Sequence, residues 1–137
     1  MYYIEYADAL KKLRGAMERY RELIEEREEL FQATQPGAIR YDTVKVLSSV
    51  SGSPLETYVE RVGVIDQRIA EAETNVGLWK IAVSQIEEEL NASPELEDRI
   101  YYLRVVKGYP VSRIARTLHY SPDWIRKKLR KIRKSIV

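Results

Sequence analysis

Residues 54–92, PLETYVERVGVIDQRIAEAETNVGLWKIAVSQIEEELNA, decide the fold. Leu55, Tyr58, Val62, Ile65, Ile69, Ala72, Val76, Trp79, Val83, Ile86 and Leu90 follow one another in unbroken steps of three and four. An α-helix returns to the same face about every 3.6 residues, so this spacing draws one apolar seam along one helix. Five heptads in register predict a coiled-coil or bundle packing. Ser53 suits the N-cap, where its hydroxyl accepts a first-turn N–H, and Pro54 suits the first helical position, where no N–H is needed. Asn91-Ala92-Ser93-Pro94 ends the helix and caps the next. Gly63 and Gly77 weaken it locally, by about 1 kcal/mol each relative to alanine.

Upstream, Tyr3 to Ala33 reads as a second amphipathic helix. Its seam is Tyr3, Tyr6, Leu10, Leu13, Met17, Tyr20, Ile24 and Phe31, with Arg27 the charged interruption. Arg27 implies that this seam is not buried along its whole length. Arg19, Arg21, Glu22, Glu25, Glu26, Glu28 and Glu29 form a solvated face, with no Glu-x-x-His pairs to hold a metal. Thr34-Gln35-Pro36-Gly37 stops the helix. Residues 34–53 form a connector in which Ile39, Tyr41, Val44 and Val46 are expected to lie against a helix. The two long helices predict either an intramolecular antiparallel hairpin or a homodimer through helix 54–91.

The chain of 137 residues has no cysteine, which excludes disulfides and thiolate metal sites and points to a reducing cytoplasm. No secretory signal pattern opens it, and no run of ~18 apolar residues would span a membrane. The net charge of +2 conceals an asymmetry: residues 93–137 carry 12 Lys/Arg against 4 Asp/Glu, and residues 1–92 carry 11 against 17. The C-terminal third is suited to a polyanion. These observations divide the chain into a coiled-coil or oligomerisation region, 1–92, and a basic domain, 93–137. The fold class is all-α: a helical hairpin followed by a three-helix module.

In that module a helix from about Pro94 to Lys107 turns inward Leu96, Ile100, Leu103 and Val105 or Val106. Gly108-Tyr109-Pro110 turns the chain, and a short helix runs from Val111 to Leu118 with Ile114, Ala115 and Leu118 inward. After His119-Tyr120-Ser121 the last helix begins, with Ser121 as N-cap and Pro122 first. At ~100° per residue, Ile125, Leu129, Ile132 and Ile136 fall on one side, with Asp123, Lys127, Arg130 and Lys134 opposite and Trp124, Arg126 and Lys131 between. Two helices joined by a short turn, the second strongly basic, make a helix-turn-helix pattern. Each cation that neutralises a phosphate releases a counterion, which drives DNA binding. The front of the second helix reaches deepest into the major groove, so Asp123, Trp124, Arg126 and Lys127 are candidates for base edges. Arg130, Lys131 and Lys134 are candidates for phosphates. Ser121, Lys128 and Arg113 complete the candidate DNA-binding set. Trp124 has a second role open to it, packing on the helix before. His119 reads as a helix cap, Trp79 as core, and the seam tyrosines Tyr3, Tyr6, Tyr20 and Tyr58 as packing rather than base stacking.

Residues 108–133, GYPVSRIARTLHYSPDWIRKKLRKIR, resemble sigma-factor region four, through Ile114-Ala115, Leu118 and the Ile125–Leu129–Ile132 spacing. The resemblance implies a module that reads promoter DNA with its last helix. Region four usually carries glycine where this chain has His119, a position that favours a left-handed backbone. The whole layout, with Arg40-Tyr41-Asp42 and a Ser-rich patch in the connector, resembles phage-encoded transcriptional regulators of the ArpU/RinA type. That resemblance implies control of phage or prophage late genes, double-stranded DNA as partner and RNA polymerase as a further one. Two other roles stay open: DNA packaging in the manner of small terminase subunits, and a coiled-coil interaction protein whose basic tail meets an acidic partner. Catalytic residues, cofactors, metals and small-molecule substrates are not expected, because the chain lacks a phosphate loop and any cluster that would activate a nucleophile.

Overall fold

The computed structural model describes residues 1–33 and 54–136. They form α1 (Tyr2–Ala33), α2 (Pro54–Ala92), α3 (Leu96–Tyr101), α4 (Val111–Leu118) and α5 (Pro122–Ile136), with a π-helical turn, Tyr102–Val106, extending α3. The fold is all-α, and among the described residues there is no strand. The connector, with Ile39, Tyr41, Val44 and Val46, lies outside the described residues. Among the described residues no helix is long and apolar enough to cross a membrane.

Packing groups the chain into two compact units. One unit joins Met1–Arg14 to Leu78–Val137; the other is Gly15–Gly77. Aromatic burial explains why the start of α1 belongs with the C-terminal helices. Tyr3, Tyr6 and Ala9 enter one core with Val83, Leu90, Ile100, Tyr101, Ile114, Ala115, Ile125, Leu129 and Ile132. The Tyr101 ring lies 5.8 Å from those of both Tyr3 and Tyr6, edge-on to the latter. Within this unit α1 and α2 run antiparallel. The Tyr6 hydroxyl donates to Glu87 Oε1 at 2.7 Å, and further along α1 the Lys12 ammonium lies 5.1 Å from the centre of the Trp79 ring. Burial, reinforced by the Glu87 carboxylate, pushes the Tyr6 phenol well above the usual tyrosine range. Burial raises Tyr101 as well.

A polar joint closes the N-terminus of α1. Asp98 is fully buried, and its Oδ1 accepts the Tyr3 N–H at 3.0 Å while its Oδ2 accepts the Ser93 hydroxyl at 2.8 Å. Ser93 Oγ in turn accepts the Glu95 N–H at 3.2 Å, so one serine braces the chain just before α3 and orients the aspartate. First-turn N–H groups have no partner within their own helix, and the positive end of the helix favours an acidic group there. The inward-face reading of this helix, built on Leu96 and Ile100, passes over Asp98.

In the second unit Ala16 and Leu23 of α1 and Ile65 and Ala72 of α2 are buried. Arg27, the charge on the expected seam, is met by α2: its Nε donates to Asp66 Oδ1 at 2.6 Å, both side chains half exposed. The α2 seam is as expected from Tyr58 to Val76, whereas Leu55 is exposed. The α1 seam is not. Met17 and Ile24 are 45 % and 38 % exposed, and Phe31 is exposed too, while Leu23 is 1 % exposed. A straight helix drifts about 20° per heptad against a strict 3.5-residue repeat. The line through Tyr3, Leu10, Met17, Ile24 and Phe31 therefore rotates outward, and the line through Ala9, Ala16 and Leu23 replaces it.

Candidate nucleic-acid interface

The π-helical turn after α3 closes with the Lys107 N–H on the Tyr102 carbonyl at 3.1 Å, and Gly108 then turns the chain at φ +71°. That left-handed backbone costs glycine nothing and most other residues about 1–2 kcal/mol. From Pro110, α4 buries Ile114 and Ala115 and half-buries Leu118. It ends on His119, at φ 63° and ψ 42° in the left-handed region, where the Tyr120 N–H returns to the Ala115 carbonyl at 3.0 Å. This is the closure that usually takes glycine. Among the described residues His119 is the only non-glycine with positive φ. The histidine caps the helix, and the turn has the form that the helix-turn-helix reading requires.

Ser121 then caps α5: its Oγ accepts the Trp124 N–H at 3.2 Å. Ile125, Leu129 and Ile132 are buried in the core shared with α3 and α4, whereas Ile136, expected to be inward, is exposed. The opposite face carries Asp123, Lys127, Arg130, Lys131 and Lys134, all exposed. Among the described residues Lys127, Arg130, Arg133 and Lys134 form no ion pair.

Four of the expected contact residues, Lys128, Arg126, Asp123 and Trp124, make contacts within the protein itself. Lys128 Nζ lies 3.1 Å from Glu97 Oε1, with both side chains about three-quarters buried, and so ties α5 to α3. Glu97 is held below the usual carboxylate range by its own backbone N–H first, then by the hydrogen bond from Lys128, with Lys131 adding at longer range. Arg126 Nη1 donates to Asp123 Oδ1 at 2.7 Å, and both remain on the surface. Trp124 is half-buried against the core. The Tyr120 ring stacks on it at 4.2 Å and 12°, and the Lys128 ammonium lies 5.2 Å from its centre. Of its two roles, packing is the one these contacts serve.

Arg113 is exposed at the start of α4, its guanidinium 3.8 Å from the centre of the Tyr109 ring. The structure adds exposed Arg116, Arg133 and Tyr120 to the set read from sequence. The charge count contained both arginines, but neither was placed on a face from the sequence, and packing shows that both are exposed. A separate groove of about 660 Å³ lies in the second unit, lined by Leu30, Val64 and Ile65 together with three glutamates, Glu26, Glu29 and Glu60, and two arginines, Arg61 and Arg68.

No protein family, curated protein or solved structure matches the chain.

Proposed function

We propose that this chain is a sequence-specific double-stranded DNA-binding protein of transcriptional control that lays α5 in the major groove. One observation carries the reading. α5 buries Ile125, Leu129 and Ile132 behind a left-handed turn and leaves Lys127, Arg130 and Lys134 facing solvent with no acidic partner among the described residues. A helix held in this way offers a row of cations to a phosphate backbone while its front reaches base edges. The likeness to ArpU/RinA-type regulators makes late-gene control in a phage the role we assign, with RNA polymerase as the further partner.

Gel shifts on a duplex pool at two salt concentrations test this. Binding should weaken steeply with salt, and Lys127→Ala and Arg130→Ala should each weaken it and lower the slope of log affinity against log salt by about 1. Lys128→Ala, whose charge is spent on Glu97, should change the slope less. A Lys127→Ala/Arg130→Ala double variant that is folded and binds as the parent does would end the assignment.

A further inference from the structure

We propose that the Asp123–Arg126 pair on the first turn of α5 is the sequence-reading element, with Asp123 selecting a cytosine and Arg126 a neighbouring guanine. The inference rests on the DNA-binding reading and names what that surface recognises. Asp123 is the sole acidic residue in α5. Its side chain is 87 % exposed, and it stands at the front end of the outward face, one turn before Lys127 and opposite Ile125 and Leu129. A carboxylate in that place opposes every phosphate, so toward an arbitrary polyanion it only weakens binding.

Major-groove chemistry changes the sign. An ionised carboxylate only accepts hydrogen bonds, and among the base edges in the major groove only cytosine N4 and adenine N6 donate. At adenine the N7 acceptor lies beside that donor and repels the second carboxylate oxygen, which leaves cytosine as the matched base. Guanine and thymine offer acceptors to Asp123 and leave it desolvated without a partner. The neighbouring cation is positioned by the same group. Asp123 Oδ1 takes one Nη1 proton of Arg126 at 2.7 Å, which fixes the plane of the guanidinium and leaves its other N–H groups free for the paired acceptors O6 and N7 of guanine. Lys128 does not compete for this edge, because Glu97 holds it against α3.

The test is selection from a duplex pool with randomised positions, using the full chain, Asp123→Asn and Asp123→Ala. Gel shifts then compare the enriched duplex with single-base changes, and circular dichroism checks that each variant keeps its helix content. The parent is expected to enrich a cytosine next to a guanine and to lose roughly tenfold or more in affinity when that cytosine is changed. Asp123→Asn is expected to move the preference from cytosine to adenine, since an amide offers adenine a donor and an acceptor together. Asp123→Ala should tighten binding to arbitrary duplex and flatten the preference at that position. If both variants bind every duplex more tightly in equal proportion, with the preferred sequence unchanged, Asp123 serves only the helix and the inference is overturned while the DNA-binding reading stands. A parent that binds DNA with no base preference overturns the inference in the same way. A parent that binds no duplex even at low salt overturns the reading itself.

Discussion

His119 occupies a backbone conformation that costs most non-glycine residues about 1–2 kcal/mol. His119→Gly removes that cost and returns part of it as unfolded-chain entropy, so a gain of about 0.5–1 kcal/mol is expected from urea denaturation. A loss of stability would mean that the imidazole makes a compensating contact. Tyr6 carries a pH dependence. Its phenol is protonated in the fold well above the ordinary range near 10, so the stabilisation it provides is complete below that range and is lost as pH rises through the raised native value. Between about pH 8 and about pH 11 the parent should lose more stability than Tyr6→Phe, which has no proton to release. The substitution also removes the hydrogen bond to Glu87, which shifts both ends of the comparison and not the slope. Equal slopes would place the alkaline sensitivity elsewhere, with Tyr101 the next group to examine.

In α1, two adjacent aliphatic residues separate the expected seam from the one that forms. Leu23 is buried to 1 % and Ile24 is more than a third exposed. Leu23→Ala should therefore cost about 2–5 kcal/mol and Ile24→Ala about 1 kcal/mol or less, read from denaturation midpoints at unchanged slope. Costs in the opposite order would restore the line through Met17, Ile24 and Phe31. The sequence alone favoured that line because its apolar residues keep steps of three and four. Ala9 and Ala16 look weak as seam residues until a second helix lies against them. α5 carries the converse lesson. Its stripe of Ile125, Leu129 and Ile132 was legible from spacing, but the division of its cations was not. Lys128 and Lys127 are neighbours in sequence, and only the position of Glu97 on α3 makes one a strut and leaves the other free.

At the scale of the molecule, the helix-turn-helix module does not form its core alone. Tyr3, Tyr6 and Ala9 of α1 share that core with α3, α4 and α5, and buried Asp98 accepts the Tyr3 N–H. Removing residues 1–14 should therefore expose part of this core and leave Asp98 Oδ1 without its donor, with Ser93 still bound to Oδ2, a loss on the order of several kcal/mol. Amide exchange in α4 and α5 is the measurement, and faster exchange in both is expected. A chain beginning at residue 15 that protects those amides as well as the parent does would show that the module is self-sufficient, as the charge asymmetry at residue 93 first suggested.

Spacing, caps and breakers by themselves determined the five helices of the described residues, the α2 seam, the Ser121 cap and the aliphatic stripe of α5, because each is set by residues within a few turns of one another. Tertiary packing decided the rest: the true face of α1, the burial of Asp98, the grouping of the first fourteen residues with the last helices, and which cations stay free. The physical reason is range. Helix periodicity is written in steps of three and four, whereas Tyr3 meets Asp98 across 95 residues and Lys128 meets Glu97 across 31. No local pattern encodes such a meeting until the chain has folded.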